Sequence, residues 1–105
     1  MKLLISSRMK DAFLALPVKT QAELMAGQAA FVDKYLKAGK CKEIYFDSDM
    51  QGGVSIWEVE SNEEGARLTL ENPASPFMHI DGRPIVEWDV GMKLLTETLG
   101  KLAQR

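Results

Sequence analysis

Residues 41–60 have the sequence CKEIYFDSDMQGGVSIWEVE, in which two alternating segments flank a pair of glycines. Its first part, 41–47, alternates between two sides of the chain with the period of two that is typical of a β-strand. The segment Gln51-Gly52-Gly53 contains the residues of a turn, and residues 54–60 indicate a second strand. The stretch therefore predicts a β-hairpin with strands over 41–47 and 54–60.

The residues before the hairpin predict a strand and a long helix. Residues 2–9 alternate like a strand, and a loop follows. Thr20 and Glu23 then fit a capping box, in which the hydroxyl accepts from a free backbone N–H and the carboxylate reaches back, so a helix is expected to begin there. Apolar residues recur at helical spacing beyond this point, and Gly39 can adopt the left-handed conformation that ends a helix.

The residues after the hairpin predict a second helix, which is short. Ser61 and Glu64 fit another capping box, with acidic residues in the first turn. Pro73 cannot continue a helix, so this helix is expected to end at Asn72.

The C-terminal part of the chain predicts two further strands and a last helix. Residues 77–81 and 85–90 have strand character, and the Asp81-Gly82 pair between them is typical of a turn. From Gly91 onward leucines recur at helical spacing, which predicts an amphipathic helix.

This order of elements predicts an α+β fold: a ferredoxin-like antiparallel sheet with helices on one face, extended by an extra C-terminal strand and helix. The length leaves room for one domain, over residues 1–105. The uncovered sheet face can be covered by the sheet of a second copy, so we expect a homodimer. The last helix either packs on its own sheet or reaches across to the partner.

Composition and charge exclude several classes of function. The 105 residues include 13 Lys and Arg against 15 Asp and Glu, a net charge of −2, so no nucleic-acid partner is expected. No apolar run approaches the ~20 residues of a membrane span, so no membrane partner is expected. A single cysteine cannot form an internal disulfide, and we expect a cytoplasmic protein.

The sequence contains no strong cofactor or metal motif. A Gly-rich phosphate loop, a nucleophile elbow, a His-Glu-x-x-His helix and a Cys-x-x-Cys pair are all absent. The single His79 and the single Cys41 leave most coordination positions to carboxylates, so we expect neither a metal nor a cofactor.

One pair of residues suggests acid–base chemistry. His79 and Asp81 are two apart on a predicted strand and therefore project from the same face. Asp81 could orient the imidazole and raise its basicity, which makes the two residues candidates for a catalytic proton transfer. The alternative is that His79 is a partly exposed residue without a chemical role.

Several strand residues are candidates for binding a substrate. Lys40 and Lys42 flank Cys41, and their charge predicts a lowered thiol pKa; the alternative is a small buried packing group. Aromatic rings on strands either form the core or frame a planar apolar ligand. The candidate substrate-binding residues are Cys41, Tyr45, Ser55, Trp57, Phe77 and Trp88.

Two stretches resemble the muconolactone isomerase family. They are residues 52–61, GGVSIWEVES, and residues 73–80, PASPFMHI, within an ungapped similarity over 28–82. The resemblance implies small subunits with the dimeric α+β barrel fold. The chain departs from the family at Cys41 and Phe46, where the family has Trp and Arg, and at His79, where the family has Asp.

The resemblance leads to two main functional hypotheses. The fold is also similar to that of the RedY-type small proteins of prodiginine (red tripyrrole pigment) biosynthesis. In the first hypothesis the chain binds an aromatic or conjugated intermediate of secondary metabolism or aromatic catabolism, with isomerase, cyclase or dehydratase-type proton transfer. In the second it is a non-catalytic accessory or chaperone-like dimer that supports a pigment-pathway enzyme. A weaker third option is a stress-type dimeric barrel of unknown ligand.

Overall fold

A four-stranded antiparallel sheet organises residues 1–104, the part of the chain that the computed structural model describes. The four strands lie in the order β2-β3-β1-β4, and helices are packed on one face. The elements are β1 (Lys2–Met9), α1 (Asp11–Leu14), α2 (Val18–Lys37), β2 (Cys41–Phe46), β3 (Gly52–Glu58), α3 (Asn62–Glu71), a 3-10 turn (Ser75–Phe77), β4 (Met78–Ile85) and α4 (Trp88–Ala103). The predicted α+β, ferredoxin-like arrangement is therefore confirmed.

The pairing of the central strand β1 determines which side chains share a face. Leu3 lies opposite Trp57 on β3, and Ile5 lies opposite Ser55. Leu3 and Trp57 form a buried cluster with Cys41, and rings and aliphatic side chains from α2 and α3 pack against that cluster. We call this side the helix face of the sheet. Because strand side chains alternate, the even-numbered residues of β1 lie on the other side, which we call the open face.

The long helix α2 begins at Val18, so the predicted start at the Thr20 capping box is wrong. Pro17 is the N-cap, and no side chain caps the helix. The ring of Pro17 restricts its φ, and its carbonyl accepts the first helical hydrogen bond from the Gln21 N–H at 3.0 Å. Thr20 therefore lies inside the first turn. The predicted end is confirmed: Gly39 has φ +75°, and the Lys40 N–H donates to the Tyr35 carbonyl at 2.9 Å.

The start and end of α3 are as predicted. The Glu64 N–H donates to the Ser61 Oγ at 3.1 Å, and the Glu64 carboxylate accepts from the Glu60 N–H at 3.3 Å. Asn72 ends the helix immediately before Pro73. Gly65 is buried on the inner side of α3, where a Cβ would lie 2.7 Å from the Leu3 Cδ1, so this glycine lets the helix approach β1 closely.

The predicted turn of the hairpin is displaced. Gly52 already belongs to β3 and pairs with Arg8, and the turn is formed by the residues before it, where Met50 has φ +62°. A Cβ on Gly52 would lie 2.0 Å from the Ser7 carbonyl oxygen. The glycines at 52 and 53 therefore allow the strands to approach each other closely. Residues 47–51 form the turn.

The predicted Asp81-Gly82 turn and the extra strand over 85–90 are both wrong. The strand β4 runs without interruption from Met78 to Ile85 and pairs with β1 along its whole length. Gly82 lies opposite Ile5, and a Cβ there would be 2.8 Å from the Ile5 Cδ1, so the missing side chain relieves a close contact. Pro84 is tolerated because β4 is an edge strand.

The last helix, α4, begins at Trp88 and does not pack on the sheet of its own chain. No other element packs extensively against it, and from Trp88 to Gln104 every residue except Gly91 is exposed. The apolar residues along one side of α4 are Met92, Leu95, Leu99 and Leu102. The longest dimension of the chain is 63 Å, against 28 and 24 Å in the other directions. The alternative that α4 reaches across to a partner stays a prediction.

Candidate functional site

A cavity of about 530 Å³ lies between the helix face of the sheet and the helices α2 and α3. Its floor is formed by β1 and β3, including Ile5 and Trp57, and its roof by α2, including Met25 and Val32. Most of its lining is apolar. The polar residues of the lining are Ser7, Gln28, Asp33, Tyr45, Ser55, Thr69 and Asn72.

Three aromatic rings form one wall of this region. The Trp57 ring is only 7% exposed, and its centroid lies 6.2 Å from that of Phe31 and 5.8 Å from that of Tyr35. Phe31 and Tyr35, one helical turn apart on α2, meet edge to face with centroids 5.0 Å apart. Packing against two rings from another element fixes the indole, so Trp57 presents a constant flat surface beside the cavity.

Ser55 and Trp57 are linked by a buried hydrogen bond. The Trp57 Nε1–H donates to the Ser55 Oγ at 2.8 Å, because residues two apart on β3 project from the same face. The indole N–H is satisfied by this bond. The Ser55 hydroxyl hydrogen has no acceptor among residues 1–104, so it is free to donate to a molecule in the cavity.

Gln28 is another polar residue that lines the cavity. It lies on α2 at helical spacing from Met25 and Val32, which also line the cavity. Its Oε1 atom is shielded from water and has no hydrogen-bond partner in the described chain. Buried polar atoms in folded proteins are nearly always hydrogen-bonded, so this amide is an exception that needs a reason.

A tyrosine–glutamate contact connects the two helices beside the cavity. The Tyr35 hydroxyl of α2 donates to the Glu71 Oε2 of α3 at 2.6 Å. The carboxylate accepts the phenolic proton, and this hydrogen bond raises the pKa of Tyr35 above its ordinary value. The contact stabilises the spacing of the two helices that cover the cavity.

The cavity carries almost no charge. Asp33 is the one ionised side chain among the lining residues, and it is paired with the Lys37 ammonium at 2.9 Å on the exposed side of α2. The same carboxylate raises the pKa of Lys37 through a hydrogen bond. Within the described chain no Lys, Arg or His lines the cavity. An anionic ligand would therefore find no counter-charge there.

The structure places the predicted substrate-binding residues in different environments. Ser55, Trp57 and Tyr45 line the cavity, and the Tyr45 hydroxyl donates to the Glu43 carboxylate at 3.0 Å. Cys41 lies in the core next to Trp57, 2% exposed, and burial raises the pKa of its thiol, opposite to the effect expected from its lysine neighbours.

Phe77 and Trp88 lie away from the cavity. Phe77 ends the 3-10 turn before β4, where its carbonyl accepts from the Lys10 N–H at 2.9 Å. Trp88 begins α4 and is 81% exposed. Neither residue belongs to the lining, and their predicted contact with a ligand stays a prediction.

His79 and Asp81 lie on the open face of the sheet. They project from the same side of β4, opposite Arg8 and Ser6 of β1, and both are exposed. Their neighbours Met78 and Ile80 are the β4 residues that line the cavity, so alternation directs the pair away from it. No hydrogen bond joins the two side chains in the described part of the chain. Their role in proton transfer stays a prediction.

Sequence reasoning missed five polar residues that the fold brings to the cavity: Ser7, Gln28, Asp33, Thr69 and Asn72. The clearest signal was that of Gln28. It interrupts an apolar stripe of α2, and a polar residue on the buried side of an amphipathic helix indicates a buried hydrogen bond or a binding site.

Residues 1–104 contain neither a metal-binding cluster nor a membrane-spanning helix. No group of three or more His, Cys, Asp or Glu side chains is arranged to hold a metal ion. None of the helices in this part of the chain combines the length and hydropathy that crossing a membrane requires.

The chain has the fold of dimeric α+β barrel structures, and two solved structures show the likeness. One is 5-chloro-2-hydroxyhydroquinone dehydrochlorinase (TftG) from Burkholderia phenoliruptrix AC1100, in complex with 2,5-dihydroxybenzoquinone. It is 16% identical, with a TM-score of 0.69 over 85% of this chain and 97% of that chain. The other is muconolactone isomerase, 17% identical, with a TM-score of 0.73 over 83% and 90% of the two chains.

At such low identity the likeness shows the fold alone. No protein-family model matches the chain, and no curated protein matches it in sequence.

Proposed function

We propose that this protein binds a neutral aromatic or conjugated small molecule in the cavity between its sheet and helices. The observation that carries the proposal is the cavity itself: it measures about 530 Å³, is mostly apolar, lies beside the fixed Trp57 ring and is lined by no basic side chain of residues 1–104. Pockets of this size with few polar groups are typical of small-molecule sites. The similarly folded dehydrochlorinase, whose structure contains 2,5-dihydroxybenzoquinone, supports a planar oxygenated ring as the ligand.

Charge favours a neutral ligand over a carboxylate. An ion that leaves water for an apolar cavity loses its hydration, and only a paired counter-charge compensates for this loss. Among residues 1–104 the one ionised group of the lining is the Asp33 carboxylate, whose charge the Lys37 ammonium already balances. An anionic ligand would therefore be unpaired there.

A titration of the tryptophan fluorescence tests this proposal. The chain has two tryptophans, and Trp88→Phe leaves Trp57, beside the cavity, as the only emitter. We expect 2-naphthol to change the Trp57 emission saturably, with a Kd below about 100 μM. Ser7→Phe, which fills the cavity from β1, should abolish the change. Ser6→Phe, one residue away on the open face, should preserve it, and equal behaviour of the two variants would contradict the proposal.

We propose Asp33 as the residue that would transfer a proton on the bound ligand. Among residues 1–104 it is the one carboxylate of the lining, and a carboxylate can accept a proton from carbon next to a carbonyl and return it to another atom of the same ligand. In this form the reaction is an isomerisation that needs no cofactor. The test is exchange of the α-protons of 2-tetralone in D₂O, followed by NMR: Asp33→Asn should lose any protein-dependent exchange, and Lys37→Met should retain it.

We propose a second copy of this chain as the macromolecular partner. The exposed apolar side of α4 includes Leu95 and Leu99, and the open face has Leu4 and Ile56 side by side at its centre. An apolar helix side and an apolar sheet centre on one small chain are most simply covered by the same surfaces of a symmetry mate.

Native mass spectrometry tests the dimer. The full chain should be a dimer, and Leu99→Glu should weaken it, whereas Lys101→Glu on the polar side of α4 should not. A monomeric full chain would overturn the proposal. The second sequence hypothesis, an accessory subunit of a prodiginine-type pigment enzyme, predicts instead that the chain purifies with that enzyme and that Leu99→Glu removes the association.

A further inference from the structure

We infer that Gln28 selects the ligand, and that the selected class is a neutral planar ring bearing a hydroxyl group. The inference rests on the proposed function and adds to it the chemical group that is recognised and the residue that recognises it. Its basis is one amide in the cavity roof whose oxygen has no hydrogen-bond partner among residues 1–104.

The position of Gln28 is the first part of the evidence. Met25 and Val32 precede and follow it on the cavity side of α2, so an aliphatic residue at position 28 would continue the apolar roof. The chain instead has an amide whose carbonyl oxygen is shielded from water and unpartnered among residues 1–104. A buried unpartnered acceptor is costly to a folded protein, and a ligand that donates a hydrogen bond would remove that cost.

The freedom of this side chain is the second part. Rotation of a terminal amide about its last torsion is soft, and no hydrogen bond within residues 1–104 holds the Gln28 Oε1 atom in place. The amide can therefore turn its oxygen toward a donor that enters the cavity.

The opposite wall supplies the complementary group. Ser55 lies on β3, in the cavity floor, and its Oγ already accepts from the Trp57 indole, so it interacts with a ligand as a donor. Gln28 in the roof then requires a ligand donor, and Ser55 in the floor requires a ligand acceptor. A hydroxylated ring with a second oxygen substituent satisfies both, whereas a ring with ether or quinone oxygens alone leaves the Gln28 oxygen without a donor.

A matched pair of probes tests the inference. 2-Naphthol and 2-methoxynaphthalene share the ring and the oxygen acceptor, and only the naphthol can donate. In the Trp88→Phe variant, we expect the naphthol to bind in the cavity beside Trp57 about tenfold more tightly than the ether does. Gln28→Met keeps the length of the side chain and removes its polar atoms, and it should reduce this preference to below about twofold, chiefly by weakening the naphthol.

The controls distinguish the role of Gln28 from the binding of a ligand in the cavity. Gln51→Met makes the same chemical change on an exposed residue outside the lining and should leave the tenfold preference intact. Gln28→Leu provides a second apolar variant if Gln28→Met does not fold. Binding of both probes with no preference, or a preference that survives both Gln28 variants, would overturn the role of Gln28 alone. Failure of both probes to bind the unsubstituted cavity would overturn the proposed function itself.

Discussion

The indole N–H of Trp57 donates a hydrogen bond to the Ser55 hydroxyl oxygen, 2.8 Å away and shielded from water. This contact gives Ser55 two tasks. Its oxygen satisfies a buried donor that would otherwise destabilise the core, and its hydrogen is left free toward the cavity. The stability of the floor and the polarity of the site therefore depend on the same hydroxyl.

Ser55→Ala should lower the free energy of unfolding by about 1–3 kcal/mol, because it leaves the buried Trp57 N–H without an acceptor. Urea denaturation at neutral pH measures the loss. In a Trp57→Phe background, which has no indole N–H, the same substitution should cost less than about 0.5 kcal/mol. An equal cost in both backgrounds would show that the hydrogen bond does not stabilise the fold.

Gln28→Met should stabilise the ligand-free protein by about 1 kcal/mol. The substitution replaces an unpartnered buried carbonyl with an apolar side chain of similar length and helix propensity, so the desolvation cost disappears. The urea midpoint should rise at an unchanged denaturant slope, and Gln51→Met should leave it unchanged. A destabilised Gln28→Met would mean that the amide has a partner in solution, and the binding role would lose its structural basis.

We expect the free energy of unfolding to decrease at acidic pH, because the Glu64 carboxylate becomes protonated there. This carboxylate is paired with the Lys40 ammonium, and that hydrogen bond holds the pKa of Glu64 below its ordinary value of 4.5. A carboxyl with a lowered pKa contributes stability that is complete above its ordinary pKa and is lost as the pH falls through the lowered value.

Glu64→Gln tests this effect, because the amide oxygen can still accept from the Glu60 N–H, whereas the charge and the acceptor for the Lys40 ammonium are lost. The advantage of the unsubstituted chain over Glu64→Gln in the urea midpoint should be constant from about pH 5 to pH 8 and shrink below about pH 4. Glu63→Gln, on the exposed first turn of the same helix, should show no comparable pH dependence. A constant difference across the acid range would contradict the assignment to this pair.

His79→Ala should change the affinity of the cavity for 2-naphthol by less than about twofold. The side chain lies on the open face, opposite Arg8, and the sheet separates it from the cavity. The same titration of Trp57 fluorescence measures the affinity, with Ser7→Phe as the positive control for lost binding. A loss of tenfold or more would show that the ligand contacts the open face, as the acid–base hypothesis for His79 and Asp81 requires.

Glycine is the clearest case where local sequence signals failed. Gly52 and Gly82 each belong to a dipeptide typical of a turn, yet both lie within paired strands. A Cβ at Gly52 would collide with the backbone of β1, 2.0 Å from the Ser7 carbonyl oxygen, and a Cβ at Gly82 would lie 2.8 Å from the Ile5 Cδ1, which would have to shift. Glycine occurs both where a strand approaches another strand closely and where the chain turns. The residue type therefore does not distinguish the two cases, and only the strand pairing does.

The α+β class, the order of the first three strands and two main helices, and the cap of α3 at Ser61 could all be predicted from the sequence, because periodicity and capping act between residues close along the chain. Which side chains meet depends on how the elements pack together. Gln28 and Ser55 face one cavity, although 27 positions separate them along the chain, because α2 folds onto β3. His79 lies on the open face, because the pairing of β4 with β1 directs its neighbours Met78 and Ile80 toward the cavity. That choice of face depends on strand register, which long-range packing determines.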